Sequence, residues 1–284
     1  MYLDVLSPEY NFLAIPENVS QLDNSKIIIL PAPYEHTTSF GKGAANGPQA
    51  ILKASAYVEF YDDEFDKEVC FNNGIATIQP VDFDNIYDEN AIFKVYEIVK
   101  TLIEQNKFVV TLGGEHTISI APIKAHFEVY PKMSLLQFDA HSDLRDNYED
   151  SLYSHACAMA RVAEFFPPEN MTQVGIRAQC VEEAKFIKEH NIHTFYASGI
   201  RNNKYGDNWI DNIVSTLSND IYITFDLDAF DPSIIPSTGT PEPDGLTYQN
   251  VLDIFWSIKK ANKSIVGFDV VELAPIPELH HPDL

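Results

Sequence analysis

The chain has 284 residues, of which 45% are hydrophobic, and its 42 acidic and 19 basic residues give a formal net charge of −23 at pH 7. This charge can serve solubility alone, but it also argues against nucleic acid or an anionic membrane as a partner and favours a cationic small molecule. Because no linker rich in Pro, Gly or Ser divides the chain, we predict a single domain over residues 1–284.

Short apolar runs alternate with segments of helical spacing along the chain. In chain order we predict strand 26–30, helix 48–57, helix 91–105, strand 108–112, strand 133–138, strand 172–176, helix 181–190, strand 193–196, helix 209–217, strand 221–225, helix 248–261 and strand 264–268. This order predicts an α/β fold, a three-layer α/β/α sandwich with a mainly parallel central sheet.

The sequence gives few signs of secretion or membrane insertion. The N-terminus begins Met-Tyr-Leu-Asp-Val-Leu, and no apolar run approaches the roughly 18 residues of a membrane span. The three cysteines, Cys70, Cys157 and Cys180, are odd in number and fit buried thiols in a reducing compartment. We therefore expect a cytoplasmic protein.

Two clusters of carboxylates and imidazoles each follow a predicted strand. The first is Asp139-Ala-His141-Ser-Asp143 and the second is Asp226-Leu-Asp228. Alternate residues of an extended chain point to one side, and ligands of α/β proteins gather at the carboxyl ends of strands. A lone aspartate there is more often a turn former or helix cap, but two alternating clusters are harder to explain in that way. Together with His116 they indicate a two-metal site.

The donor set indicates which ion such a site prefers. Four carboxylates and two imidazoles without a thiolate suit Mn²⁺ or a related divalent ion better than structural zinc. Two such ions roughly 3.5–4 Å apart form a hydrolytic centre.

Several longer motifs resemble the ureohydrolase family, which includes agmatinases and arginases. They are GGEHTIS at 113–119, FDAHSDLR at 138–145, SHA at 154–156, FDLDAFDP at 225–232, TGTPEP at 238–243 and GFDVVELAP at 267–275. The segment from Pro33 to Pro48 fits as well, so the resemblance covers nearly the whole chain.

The resemblance implies an arginase-like fold and a pair of Mn²⁺ ions held by His116, Asp139, His141, Asp143, Asp226 and Asp228. It also implies that a bridging hydroxide attacks the central carbon of a guanidinium group and releases urea and an amine. The residues expected to be catalytic are Asp143, His155 and Glu272. Among these, His155 would give the departing amine its proton and Glu272 would hold the guanidinium, while Thr240 and the Gly239 backbone would line the pocket.

The resemblance also suggests how the chain assembles and ends. Relatives form trimers or hexamers, so we expect a homo-oligomer. They also continue into a final helix after the position of His280 and His281, and we expect that helix to be missing from this chain.

The substrate is predicted from two segments. Arginases carry aspartates after the position of Arg177, where this chain has Ala178 and Cys180. The loop from Leu144 to Tyr153 contains Asp146, Glu149 and Asp150 with two tyrosines, a setting suited to a second ammonium group. Agmatine, a dication without a carboxylate, is therefore the preferred substrate. The alternatives are those of arginase, guanidinobutyrase, aminopropylagmatine ureohydrolase and formimidoylglutamase.

Two other classes of function are open. Zinc-dependent deacetylases share the fold class, but they use one zinc and lack His116 as a ligand. A non-catalytic relative would be expected to have lost ligands, yet all six positions, His155 and Glu272 are present.

Overall fold

The structure, a computed structural model, describes residues 3–276. Its strands are β1 (Ile27–Ala32), β2 (Tyr61–Asp62), β3 (Lys67–Glu68), β4 (Ile75–Thr77), β5 (Phe108–Gly113), β6 (Ser134–Phe138), β7 (Met171–Val174), β8 (His193–Phe195), β9 (Asp220–Asp226) and β10 (Ser264–Val271). Its α-helices are α1 (Gly47–Ser55), α2 (Val69–Asn73), α3 (Asp88–Glu104), α4 (Ile120–Val129), α5 (Ala158–Val162), α6 (Val181–Glu189), α7 (Ala197–Arg201), α8 (Trp209–Thr216) and α9 (Tyr248–Lys260).

Eight of these strands form one sheet in the order β4-β1-β5-β10-β9-β6-β7-β8, and every neighbouring pair in it is parallel. β2 and β3 form a separate antiparallel hairpin. The order of the strands differs from their order in the chain, so the sheet brings distant segments together. β6 and β9, which carry the two acidic clusters, are neighbours.

Side chains that alternate along the strands pack into hydrophobic cores on both faces of the sheet. In β6, Leu135 packs into the core formed with α3, α4 and α5, whereas Leu136 and Phe138 pack into the core formed with α8 and α9. In β9, Tyr222 faces the first core, and Ile221 faces the second. The three-layer α/β/α sandwich predicted from the sequence is therefore confirmed.

All twelve predicted helices and strands are present, with small shifts at their ends. The prediction missed the strands β2, β3 and β4 and the helices α2, α5 and α7, which are too short to show a period, and it also missed α4. α4 is buried over much of its surface and carries Pro122, which a helix tolerates in its first turn. The expectations for the end of the chain, including His280 and His281, lie outside the described residues.

The remaining expectations concern thiols and membranes. Cys70 and Cys157 are buried free thiols, whereas Cys180 is half-buried. Among residues 3–276, no helix combines the length and the apolar character needed to cross a membrane.

Candidate metal centre

Two groups of metal-binding side chains lie at the carboxyl edge of the sheet. The first group is His116, Asp139 and Asp226, and the second is Asp139, His141 and Asp228. Within each group, one ligand atom from every side chain lies within 4.8 Å of the others. Asp139 belongs to both groups, so the two candidate ion sites are adjacent.

The strand ends bring these residues together. Asp139 directly follows β6, and Asp226 is the last residue of β9. His116 and Asp228 lie in short 3-10 turns that follow β5 and β9. Because parallel strands of one sheet end at the same edge, three segments that are far apart in the chain meet there.

The first group is buried, and its nitrogen and carboxylate oxygens are acceptors that lack enough hydrogen-bond donors. The Nδ1 atom of His116 lies 3.1 Å from Asp139 Oδ2, 3.0 Å from Asp143 Oδ2 and 3.4 Å from Asp226 Oδ2. This nitrogen is fully buried and has no hydrogen-bond partner among the described residues. Burial and the nearby Asp228 and Asp139 carboxylates raise the pKa of Asp226 well above its ordinary value. A divalent cation placed among these lone pairs would satisfy the nitrogen and neutralise the carboxylates.

The second group faces solvent more openly. His141 Nδ1 lies 3.0 Å from Asp228 Oδ2 and 3.7 Å from Asp139 Oδ1, and the His141 side chain keeps 26% of its surface exposed. Burial lowers the pKa of His141, but hydrogen bonds to Asp139 and Asp228 outweigh this effect and raise it to about 12. This group therefore also attracts a positive charge, and it can be reached from outside.

A row of polar side chains crosses the sheet beneath both groups. It lies in register on six adjacent strands and is called here the polar row: Thr111, Asp269, Thr224, Gln137, Gln173 and Thr194. All of these residues except Thr194 are buried. Hydrogen bonds join Thr224 to Asp269 (2.8 Å), Gln173 to Gln137 (2.7 Å) and Thr194 to Gln173 (3.0 Å).

The polar row orients the imidazole of the first group. The Thr224 hydroxyl donates to Asp269 and lies 2.9 Å from His116 Nε2, so it accepts a hydrogen bond from that nitrogen. Asp269 is held in turn by the hydroxyls of Ser119 and Tyr222. With the ring proton on Nε2, the Nδ1 atom of His116 keeps its lone pair for a metal ion.

The same row orients the shared carboxylate. Gln137 Nε2 donates to Asp139 Oδ2 over 2.8 Å. Because Thr194 donates to the Gln173 carbonyl, the Gln173 amide group must point to Gln137, and the Gln137 amide group then points to Asp139. A chain of hydrogen bonds that begins at the edge of the sheet thus fixes the carboxylate common to both groups.

Glu272 and His155 lie beside the first group. Glu272 Oε1 accepts a 2.7 Å hydrogen bond from the His116 backbone N–H and lies 3.6 Å from His155 Nδ1. Burial lowers the pKa of His155, but Glu272 outweighs it and raises the pKa to about 9. Asp143 and Glu272 have left-handed backbone angles, φ 55° and φ 65°. Such conformations cost energy and are concentrated at functional sites.

A buried carboxylate fixes the loop that covers this region. Glu115 accepts hydrogen bonds from the backbone N–H groups of His36 and Thr37 and from the hydroxyls of Thr37 and Thr117. Thr37 Oγ1 in turn accepts from the His155 backbone, and Ser39 Oγ lies 3.1 Å from His155 Nε2. The loop therefore holds both the backbone of His155 and the Nε2 side of its imidazole in place.

Close packing of this loop also requires a glycine. A Cβ atom at Gly114 would lie 1.9 Å from the Tyr34 carbonyl oxygen, so no other residue fits there. Gly41 and Gly239 approach each other in the same manner, and the Gly41 N–H donates to the Gly239 carbonyl over 3.0 Å. Next to Gly239, the Thr240 hydroxyl lies 3.4 Å from Asp228 Oδ2.

A cavity of about 230 Å³ opens above the two groups, and we call it the inner cavity. It is lined by Ser39, His141, Asp143, Arg145, Tyr148, His155, Ala156, Ala178, Gln179, Glu183, Asp226, Thr240 and Glu242. The loop expected to hold a second ammonium contributes Arg145 and Tyr148 to this lining. Its acidic residues Asp146, Glu149 and Asp150 are exposed outside the lining. Asp146 pairs with Arg161 over 2.8 Å instead, so the acidic wall predicted from this loop is not formed.

Comparison with known proteins identifies the family. The model of the arginase family matches residues 25–281. The chain belongs to the arginase family.

Curated and solved proteins similar to this arginase-family chain include three ureohydrolases. N(1)-aminopropylagmatine ureohydrolase of Synechocystis sp. is 36% identical over 266 residues, which are 92% of this chain and 85% of that protein. Agmatinase of Bacillus cereus is 31% identical over 258 residues, which are 89% and 85% of the two chains. The crystal structure of agmatine ureohydrolase of Thermoplasma volcanium is similar with a TM-score of 0.78 and 25% identity, over 97% of this chain and 87% of that chain.

These relatives support the enzyme class expected from the sequence. The arginase-family chain is a ureohydrolase, an enzyme that hydrolyses amidine groups, and its two groups of Asp and His can hold metal ions. The family match favours this interpretation over a zinc-dependent deacetylase.

In this arginase-family chain, the residues that orient the metal-binding groups were not predicted from the sequence. They are the polar row and Glu115. A signal for the row was present, since Gln137 and Thr224 each interrupt a predicted buried strand between two apolar residues, and Asp269 lies between two apolar residues directly after another. A polar side chain in such a position must find a hydrogen-bond partner. Which partner it finds depends on the order of the strands in the sheet.

Proposed function

We propose that this protein hydrolyses the guanidinium group of agmatine to urea and putrescine, with two Mn²⁺ ions bound at the sheet edge. The observation that carries the proposal is the pair of ligand groups that share Asp139 at the base of a cavity lined by His155. His116, Asp139, Asp143 and Asp226 would hold one ion. Asp139, His141 and Asp228 would hold the other. The chemistry that two Mn²⁺ ions supply when bound is a water molecule acidic enough to react as hydroxide near neutral pH.

Glu272, which lies beside His155 and behind the lining of the inner cavity, would bind the cationic substrate. Its side chain is buried, and its Oε1 atom is fixed by the His116 backbone. A guanidinium group can offer this carboxylate two N–H groups together with its positive charge. This interaction would orient the central carbon of the guanidinium toward the two ligand groups.

His155 would complete the reaction by giving a proton to the departing amine. As oxygen adds to the guanidinium carbon and the bond from that carbon to the alkyl-bearing nitrogen breaks, this nitrogen must gain a proton. His155 lines the inner cavity, and the neighbouring Glu272 carboxylate raises the pKa of its imidazole, which favours the protonated form. Glu272 and Ser39 orient the ring from its two nitrogens.

A second candidate substrate is agmatine extended by an aminopropyl group. The observation that favours it is the name of several relatives that are 33–36% identical, N(1)-aminopropylagmatine ureohydrolase, compared with 29–31% for the agmatinases. The reaction and the residue roles would be the same, with a triamine as the second product. A cytoplasmic location and a homotrimeric or homohexameric assembly stay predictions.

The test measures urea released by Mn²⁺-loaded protein. Agmatine, N1-aminopropylagmatine, arginine and guanidinobutyrate are offered separately, and a His141→Ala variant serves as the control. Urea from the two cationic amines, lost in the variant, supports the proposal. Urea from arginine or guanidinobutyrate alone would show that the substrate carries a carboxylate and would contradict the proposed substrate. No urea from a folded, Mn²⁺-loaded sample would contradict the proposed reaction.

A further inference from the structure

A second cavity adjoins the inner cavity, and we propose that it binds the distal part of a polyamine substrate, with Glu242 at the junction as the partner of the amine nitrogen. In agmatine this nitrogen is the terminal amine. In N1-aminopropylagmatine it is the secondary amine, and the aminopropyl group continues into the second cavity. The inference rests on the proposed function and names the residues that select its substrate.

The second cavity lies directly beside the inner cavity. This outer cavity measures about 330 Å³ and is lined by Ile176, Arg177, Gln179, Tyr196, Ser198, Glu242, Pro243 and Asp244. Gln179 and Glu242 line both cavities, so the two spaces meet at these side chains. The inner cavity alone is smaller than the roughly 300 Å³ at which pockets for drug-sized ligands begin. A substrate too long for the inner cavity can therefore extend past Gln179 and Glu242 into the outer cavity.

Glu242 is an acidic side chain at this junction whose carboxylate has no hydrogen bond or ion pair with any residue in the described part of the chain. Other carboxylates in the walls have partners. Glu183 accepts the backbone N–H groups of Leu144 and Cys180, and Asp244 pairs with Arg201. A substrate ammonium arriving at the junction would thus find a carboxylate whose charge is not already compensated.

The backbone at Glu242 is held firmly. Arg177 Nη2 donates to the Glu242 carbonyl over 2.8 Å, and Arg177 Nε donates to the Pro243 carbonyl over 3.0 Å. The guanidinium of Arg177 also reaches the carbonyls of Asp228, Ala229 and Phe230. Since Arg177 directs its N–H groups to backbone carbonyls, it fixes the segment that carries Glu242 relative to the metal-binding Asp228.

Charge on another part of the inner wall favours the same direction for the amine. Arg145 lies over the Tyr148 ring, 4.9 Å from its centroid, and both side chains line the inner cavity. Arg145 Nε lies 3.9 Å from Glu183 Oε2, so this wall offers a substrate ammonium a carboxylate that is already paired, whereas Glu242 would attract the ammonium. The unpaired Glu242 carboxylate would therefore favour a cationic tail over a carboxylate-bearing one.

The experiment compares three guanidino compounds with the Mn²⁺-loaded enzyme: N1-aminopropylagmatine, agmatine, and butylguanidine, which is agmatine without its amine. The variant Glu242→Gln is expected to raise KM for the two amines by roughly tenfold relative to butylguanidine, the loss of one charge-assisted hydrogen bond. Ser198→Phe, which places a ring in the outer cavity from an exposed position, is expected to raise KM for N1-aminopropylagmatine by roughly tenfold relative to agmatine.

Matched controls show whether a change in KM arises at this subsite or from a general loss of charge or folding. Glu149→Gln removes the same charge from an exposed loop residue outside both linings and is expected to leave all three KM values unchanged. Calorimetric titration with spermidine, whose affinity should fall in Ser198→Phe, gives a readout independent of turnover, and thermal melts verify folding. Equal effects of Glu242→Gln on all three compounds, or equal effects of the two charge variants, would overturn the inference while leaving the proposed reaction intact. No urea from any compound with wild-type protein would overturn both.

Discussion

His155 lies between an acidic and a neutral partner, Glu272 at its Nδ1 and Ser39 at its Nε2. The burial of the ring would by itself favour the neutral imidazole, but the nearby Glu272 charge has the larger effect, and the pKa rises to about 9. Its backbone N–H is bound by Thr37, so the ring has little freedom to leave this position. These contacts suit a residue that donates a proton to a departing amine.

Replacing His155 by Asn is therefore expected to slow the reaction without removing the metals. General acid catalysis contributes typically 10²–10⁴-fold, so we expect kcat to fall by roughly 10²-fold or more. Steady-state urea release measures kcat, and elemental analysis measures bound manganese, which should stay at the wild-type level. A kcat within about threefold of wild type would contradict the role of His155 as the proton donor.

His126, in α4, is a buried imidazole that takes no part in the candidate metal centre. It packs against Tyr222 with ring centroids 4.7 Å apart, and its Nε2 atom has no hydrogen-bond partner among the described residues. Burial lowers its pKa from the ordinary value of 6.5 to about 4, so the folded protein keeps this ring neutral. Between pH 6.5 and 4, the unfolded chain binds a proton at His126 that the folded chain does not bind.

The free energy of unfolding should consequently be highest above pH 6.5 and fall as the pH drops toward 4. The part due to His126 is roughly 3 kcal/mol, the product of the pKa difference and the energy of one pKa unit. Chemical denaturation of wild type and His126→Leu across this range measures it, and the variant should show the smaller pH dependence. The exposed His193→Gln serves as control, and equal slopes for all three proteins would refute the assignment.

At the scale of secondary structure, the polar row is the feature that connects the strands to the metal centre. Six of the eight strands each contribute one polar side chain, in register, on the face of the sheet that packs against α3 and α4. Such a row in a buried sheet costs energy unless its members are hydrogen-bonded to one another. Here their hydrogen bonds reach His116 at one point and Asp139 at another.

Removing a member that contacts a ligand should weaken metal binding. Thr224→Val and Gln137→Leu are each expected to lower Mn²⁺ affinity by roughly 10–100-fold, the usual effect of losing such a supporting hydrogen bond. Titration of Mn²⁺ followed by electron paramagnetic resonance measures the affinity directly. Thr111→Val is a matched control on the same row, because the Thr111 hydroxyl has no hydrogen-bond partner among the described residues. If Thr224→Val binds Mn²⁺ as tightly as Thr111→Val does, the row does not support the site.

For the molecule as a whole, the site concentrates negative charge in a protein that is already strongly acidic. Three carboxylates surround one imidazole nitrogen of the first group, and the formal net charge is −23. A pair of divalent cations would neutralise this charge only in the folded state, since the ligands come from distant segments. Metal binding should therefore be coupled to folding.

Mn²⁺ at 100 times its Kd is expected to stabilise the fold by about 2.7 kcal/mol per site, which would raise Tm by roughly 5–10 °C. Thermal melts with and without EDTA measure the shift, and elemental analysis should find two ions in wild type and one in His141→Ala. Asp139→Asn, which alters the shared ligand, should lose the shift, whereas Asp146→Asn at the exposed surface should keep it. An equal shift in both Asp variants would show that Mn²⁺ binds elsewhere.

The sequence by itself determined the fold class and which residues are available as ligands. Buried parallel strands have a local signature, an apolar run of few residues, and the chemistry of His116, Asp139 and Asp226 depends only on their side chains. The alternation of residues after β6 was also sufficient to predict that Asp139 and His141 converge. These properties depend on neighbours in the chain.

Only the tertiary structure decided which residues meet. The polar row exists because strands that are distant in sequence became neighbours in a particular register, and no local pattern specifies that order. The acidic loop after Asp143 has a suitable composition for an ammonium site, yet Arg161 pairs with Asp146, and the loop presents Arg145 to the inner cavity. Composition shows which charges a segment has, whereas the direction in which they point depends on packing against the rest of the chain.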